Sequence, residues 1–159
     1  ILFGGTGTES ANQDMPLSLP ERYEMGTLNT VGISGLYASI NWILAHGVDT
    51  LFREEHEKRS MLLSLLQEYD FIKIVGNRAG DDFVGIVSCL IQGISSESAG
   101  EIFNSNNIAV RTGLQCAPAA HRFLKTFPAG TIRFSVNAFT SNADFDVLRE
   151  ALEFISDNL

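Results

Sequence analysis

Of the two cysteines in the 159 residues, Cys116 sits in a polar stretch, IAVRTGLQCAPAAH (108–121), between an apolar run and a proline. Sulfur chemistry needs a reachable thiol, and a nearby cation or helix start favours the nucleophilic thiolate. Both features surround Cys116: Arg111 stands at the end of the preceding run, and Pro118 suits the first turn of a short helix, PAAHRFLKTF. Cys116 is therefore a candidate nucleophile, against the plainer reading of an incidental loop cysteine. Cys89, flanked by Val87, Leu90 and Ile91, reads as an inert core residue. Arg133 lies inside GTIRFSV, on the face opposite Ile132 and Phe134. A mid-strand charge ordinarily faces water, but two strands that each carry an arginine and bracket a cysteine can present guanidinium forks to a carboxylate. At the start of the chain, GGTGTES offers glycine backbone and the hydroxyls of Thr6 and Thr8 to an anion such as phosphate. It lacks the lysine and helix of a nucleotide-binding loop, so it also reads as a simple turn.

The elements that must position these groups follow from periodicity. Residues 1–29 hold little of it, with Gly-Thr pairs at 5–6, 7–8 and 26–27, and read as loop and turn. TVGISGLYASINWILAH (30–46) places Ile33, Leu36, Tyr37, Ile40, Ile43 and Leu44 at helical spacing and is apolar on most sides, so it is expected to be buried. The next helix carries Leu51, Phe52, Met61, Leu62, Leu65 and Leu66 on one face and mixed charge from Arg53 to Arg59, the pattern of an amphipathic surface helix. FIKIV and FVGIVSCLIQG, joined by GNRAGDD, read as two strands, and SSESAGEIFNSNN as a serine-capped helix. IAVRT and GTIRFSV give two more strands. SNADFDVLREALEFISDNL closes the chain as a helix facing inward with Phe145, Leu148, Leu152 and Ile155.

The fold class is α+β, a sheet of about four strands, antiparallel or mixed, with helices packed on it. Three parts are expected: a loop segment at 1–29, connecting helices at 30–69 and a small domain at 70–159. The opening residues, an apolar strand end running into glycines without an initiator methionine, suggest a piece of a longer protein.

A formal charge of −8 argues against a nucleic-acid partner, because phosphate binding needs a basic surface. No apolar run reaches the roughly 18 residues of a membrane span, and no leader pattern is present, so a cytoplasmic protein is expected. Two cysteines make neither a disulfide framework nor a zinc site, and no metal is expected.

Taken in order, GGTGTES, PERYEMGTLNTVGISGL, IAVRTGLQCAPAAH and GTIRFSVNAFTSNADFDVL resemble the C-terminal motifs of cysteine desulfurases in the class V aminotransferase family, fold-type I enzymes that use pyridoxal phosphate. The resemblance covers nearly the whole chain, and RYEMGTLN and VRTGLQCAP are its most specific parts. It implies that Cys116 attacks the sulfur of a cofactor-bound L-cysteine, leaving alanine and an enzyme persulfide. It implies that Arg133 pairs with the substrate carboxylate and that Arg111 lines the same site. Gly26 and Thr27, with the loop of Thr6 and Thr8, match the region that in family dimers reaches the cofactor phosphate of the opposite subunit. A homodimer and a sulfur-acceptor protein are the implied partners.

The departures from the pattern set limits. The family's cofactor-bearing lysine follows a histidine upstream of the glycine loop, and no such pair occurs here; Lys58, Lys73 and Lys125 lie in a charged helix, a strand and a short helix. The resemblance thus implies that this polypeptide alone neither binds the cofactor covalently nor turns over cysteine. Thr140 stands where the family often has asparagine, and Leu114-Gln115 replaces the two histidines of one desulfurase branch. Another class V aminotransferase, a selenocysteine lyase or a non-catalytic interaction module are the alternative readings. His121, His46 and His56 are expected to be structural.

Overall fold

The computed structural model describes residues 5, 7–9, 11–76 and 83–159. The strand end expected at 1–3, Thr6 and most of the turn-rich GNRAGDD link lie outside the described residues. The chain divides into two compact units, Ile1–His46 and Gly47–Leu159.

In the first unit a 3-10 turn, Glu21–Tyr23, precedes helix α1, Thr30–His46. The Asn29 carboxamide oxygen accepts the Gly32 N–H at 2.9 Å and so satisfies one of the free donors of the helix start. At the other end the His46 ring bonds the Trp42 carbonyl at 2.9 Å, a structural role as expected. The expected burial of α1 does not occur. The helix has no buried residue; Leu36 is 61% and Tyr37 71% exposed. Periodicity reports how apolar a helix is, not what covers it.

The second unit begins with α2, Val48–Gln67, and continues through β1, Ile72–Val75, β2, Ile86–Ile91, α3, Ser96–Ser105, β3, Arg111–Gly113, α4, Pro118–Phe123, β4, Thr131–Ser135, and α5, Asn142–Asn158. The four strands form one antiparallel sheet in the order β1-β2-β4-β3. Alternation along β2 sends Val87, Cys89 and Ile91 to one face, where they join Ile132 and Phe134 of β4. Onto that face pack Leu62, Leu65 and Leu66 of α2, Ala99 and Phe103 of α3, and Leu148, Leu152 and Ile155 of α5, with Phe145 at the margin. Phe103 meets Phe134 edge to face, centroids 5.2 Å apart. Because α2 supplies part of this core, the compact unit starts at Gly47, ahead of the start at 70 expected from the strands.

Two local expectations are corrected. Arg59, expected in the solvated charged stretch of α2, is only 6% exposed. Its guanidinium lies 4.5 Å over the Phe83 ring and its Nε donates to the Ile86 carbonyl at 3.4 Å, so the side chain binds the lead into β2. Strand β3 begins at Arg111 and omits residues 108–110, because the Ile108 N–H is committed to the Phe103 carbonyl at 2.9 Å. That bond and Asn107 N–H to Asn104 close α3 in a left-handed turn with Asn107 at φ 58°. The short helix α4 ends the same way at Lys125, φ 59°, so Lys125 lies beyond it.

Candidate active site

The register of two strands assembles the site. In the antiparallel pair β3–β4, Arg111 stands directly opposite Arg133. Opposite residues of such a pair share a face. Arg133 also faces Ser88 of β2, and all three point away from the side covered by α2, α3 and α5. Like charges set directly across a ladder repel, so this pairing is unfavourable unless an anion lies between or above the guanidinium groups. Arg133 adds a second sign of the same kind: it is half-buried, and its Nε is a buried donor with no hydrogen-bond partner among the described residues. An unmet buried donor is costly and is rare without a role. The bland reading of Arg133, a strand charge facing water, does not fit.

Cys116 lies on the turn from β3 into α4. Its side chain is exposed, and Arg111 Nη2 approaches Sγ to 3.5 Å. Gln115 and Cys116 both take left-handed backbone conformations, φ 50° and 60°, a pair that non-glycine residues adopt at a cost. The turn is closed by Ala117 N–H to the Leu114 carbonyl at 2.8 Å. Gly130, at φ 76°, brings the start of β4 against Gly113, and a Cβ there would collide with the Gly113 backbone. Thr112 touches the space above Gly100, so α3 packs closely on β3. These small residues fix the end of the β3–β4 ladder from which the cysteine turn springs.

The other candidates separate clearly. Cys89 is fully buried, and burial pushes its thiol up to about 12, which leaves it inert at neutral pH. His121 is buried, with Nδ1 2.7 Å from the Thr126 hydroxyl, and stabilises the end of α4. The Thr140 hydroxyl accepts the Asn137 N–H at 3.1 Å within a turn ahead of α5. Sequence reasoning noted Gln115 only as a departure from a motif, yet its amide ties the cysteine turn to both strands. A polar residue adjacent to a reactive position was the available signal.

In the first unit, the Gly26 N–H donates to the Gly5 carbonyl at 2.8 Å and so joins the two glycine-threonine stretches. Gly7 and Gly26 both have φ 73°, with nothing within 4 Å of where a Cβ would stand. Thr8 and Thr27 are exposed. Open backbone and threonine hydroxyls are the donor set a phosphate takes, so these residues fit the phosphate of pyridoxal phosphate; Thr6 lies outside the described residues. Among the described residues no group of three acidic, histidine or cysteine side chains could hold a metal, and no helix is long and apolar enough to cross a membrane.

The four-stranded antiparallel sheet with helices packed on one face has the fold of the corresponding part of fold-type I cysteine desulfurases. Residues 1–148 match the aminotransferase class-V family, and the chain belongs to it. A probable cysteine desulfurase of Methanothermobacter thermautotrophicus is 28% identical over 159 residues, covering 98% of this chain and 39% of that protein. One from Pyrococcus abyssi is 30% identical over 134 residues, covering 84% and 33%. The apo structure of the cysteine desulfurase of Thermococcus onnurineus superposes with a TM-score of 0.76 at 27% identity, over 92% of this chain and 38% of that one. The chain thus spans about a third of the length of the curated relatives it matches.

Proposed function

We propose that the chain supplies the cysteine-bearing C-terminal part of a pyridoxal-phosphate-dependent cysteine desulfurase, which converts L-cysteine to L-alanine and leaves a persulfide on Cys116. The observation that carries this reading is the approach of Arg111 to Sγ on the same face as Arg133. Arg133, with its unmet Nε, binds the substrate carboxylate through charge-assisted hydrogen bonds. Arg111 holds the sulfur nucleophile and stabilises negative charge on it. Cys116 Sγ attacks the substrate sulfur; the S–S bond forms as the C–S bond breaks, and the departing electron pair takes up a proton at carbon to give alanine.

When bound, the cofactor supplies the electron sink that makes the C–S bond labile. Gly26, Thr27, Thr8 and Thr6 contribute to its phosphate site, across the interface of a homodimer. An exposed Cys116 also leaves the persulfide open to a sulfur-acceptor protein. On this reading the 159 residues alone release no alanine, because the histidine-lysine motif that anchors the cofactor is absent from them.

The test uses the full-length polypeptide loaded with cofactor. Cys116→Ala is expected to lower alanine formation from cysteine on the order of a hundredfold or more. Arg133→Ala is expected to lower kcat/KM roughly tenfold to a hundredfold, mostly through KM. A Cys116→Ala enzyme with undiminished rate would leave an aminotransferase or lyase of the same family in place of this reading.

A further inference from the structure

Two consecutive left-handed residues, Gln115 and Cys116, need something to hold them, and the Gln115 side chain ties the turn back to the carbonyls of both strands. Its amide nitrogen lies 2.9 Å from the Gly113 carbonyl, 3.1 Å from the Thr131 carbonyl and 3.4 Å from the Arg111 carbonyl. Gly113 and Thr131 are the last register pair of β3–β4, so the amide closes the end of that ladder. Three carbonyl acceptors around one atom fix it as the NH2 group, since an oxygen there would meet three others. Its own Oε1 is buried and has no partner among the described residues, so the donated bonds alone hold the group.

We propose that Gln115 is the positioning residue of the site: by donating to these carbonyls it keeps the turn in the conformation that sets Cys116 Sγ against the Arg111 guanidinium. The link is short and direct. The amide grips the backbone of Arg111, and the Arg111 side chain meets the sulfur of the next residue along from Gln115. Without the donors, the strained pair relaxes and the thiol leaves the arginine. This rests on Cys116 being the nucleophile, and it is read without turnover so that the two ideas fail separately.

The experiment compares the rates at which iodoacetate, an anion, and neutral iodoacetamide alkylate Cys116 in the full-length polypeptide, with the modified cysteine identified by peptide mass. Gln115→Met keeps the length and removes the donors; Gln115→Asn keeps an amide too short to span both strands. In the parent protein the arginines favour the anionic reagent. Both variants are expected to lower the iodoacetate-to-iodoacetamide rate ratio about fivefold, to the value of Arg111→Ala. Adding Arg111→Ala to either should change the ratio no further. Retention of the parent ratio by either variant that still melts cooperatively, or full additivity with Arg111→Ala, would overturn the proposal. Loss of alanine formation is not the readout, so a wrong nucleophile assignment cannot imitate either result.

Discussion

Helix α1 and helix α5 have the same number of residues, 17, but opposite fates. Helix α5 is amphipathic, and its Leu148, Ala151, Leu152 and Ile155 disappear into a core shared with α2, α3 and the sheet. Helix α1 is apolar on most sides and buries nothing. The unit from Gly47 onward builds a closed core of its own, although Phe123 and Phe139 stay exposed on it, whereas the described residues of the first unit bury no side chain of α1. Cys116, Arg111 and Arg133 belong to the unit from Gly47 onward, and the glycine-threonine loop belongs to the other.

The contrast can be broken by substitutions on either side of it. Phe103→Ala, at a residue with no exposed surface in contact with Phe134, is expected to destabilise the sheet unit by about 3–5 kcal/mol in urea unfolding. A much smaller loss would mean that the core is loosely packed. Acid should act more gently. Asp144 accepts the backbone N–H and the hydroxyl of Ser141, and these bonds hold its carboxyl below the usual carboxylate range. A depressed value means that the cap stabilises α5 above the ordinary carboxylate pKa and that this contribution is lost as pH falls through the lower folded value. Glu68, held down by its hydrogen bond to Arg149, behaves in the same sense. Ser141→Ala should therefore destabilise the chain at neutral pH and converge on the parent in acid, as followed by thermal melts. At the small end, Leu36→Ser on the bare face of α1 is expected to change the unfolding free energy of the sheet unit by less than about 0.5 kcal/mol. A large shift there would show that α1 contributes to that unit's stability.

Much of this was legible in the sequence because local rules and tertiary packing agree. The serine cap of α3, accepting the Ser98 N–H, and the capping box of α5 fall where serine and the acidic residues predicted helix starts. The apolar flanks of Cys89 correctly assigned it to the core, and alternation in β4 placed Arg133 on the other face. The register that sets Arg111 against Arg133 was not legible, because it depends on how α4 and its left-handed exit at Lys125 fold the chain back. Nor was the burial of Arg59, since a guanidinium over an aromatic ring at a distant point of the chain leaves no periodic trace. The role of Gln115 was hidden for a related reason: its acceptors are backbone carbonyls, two of them on the preceding strand β3 and one at Thr131 of β4.

The central claim is that Cys116 receives the substrate sulfur beside the two arginines. Brief anaerobic mixing of the cofactor-loaded full-length polypeptide with L-cysteine, followed by peptide mass analysis, tests it directly. The account predicts that the peptide holding Cys116 gains the mass of one sulfur atom, removable by a thiol reductant, while the peptide of the buried Cys89 gains none. Alanine release with no added sulfur on Cys116 would contradict it.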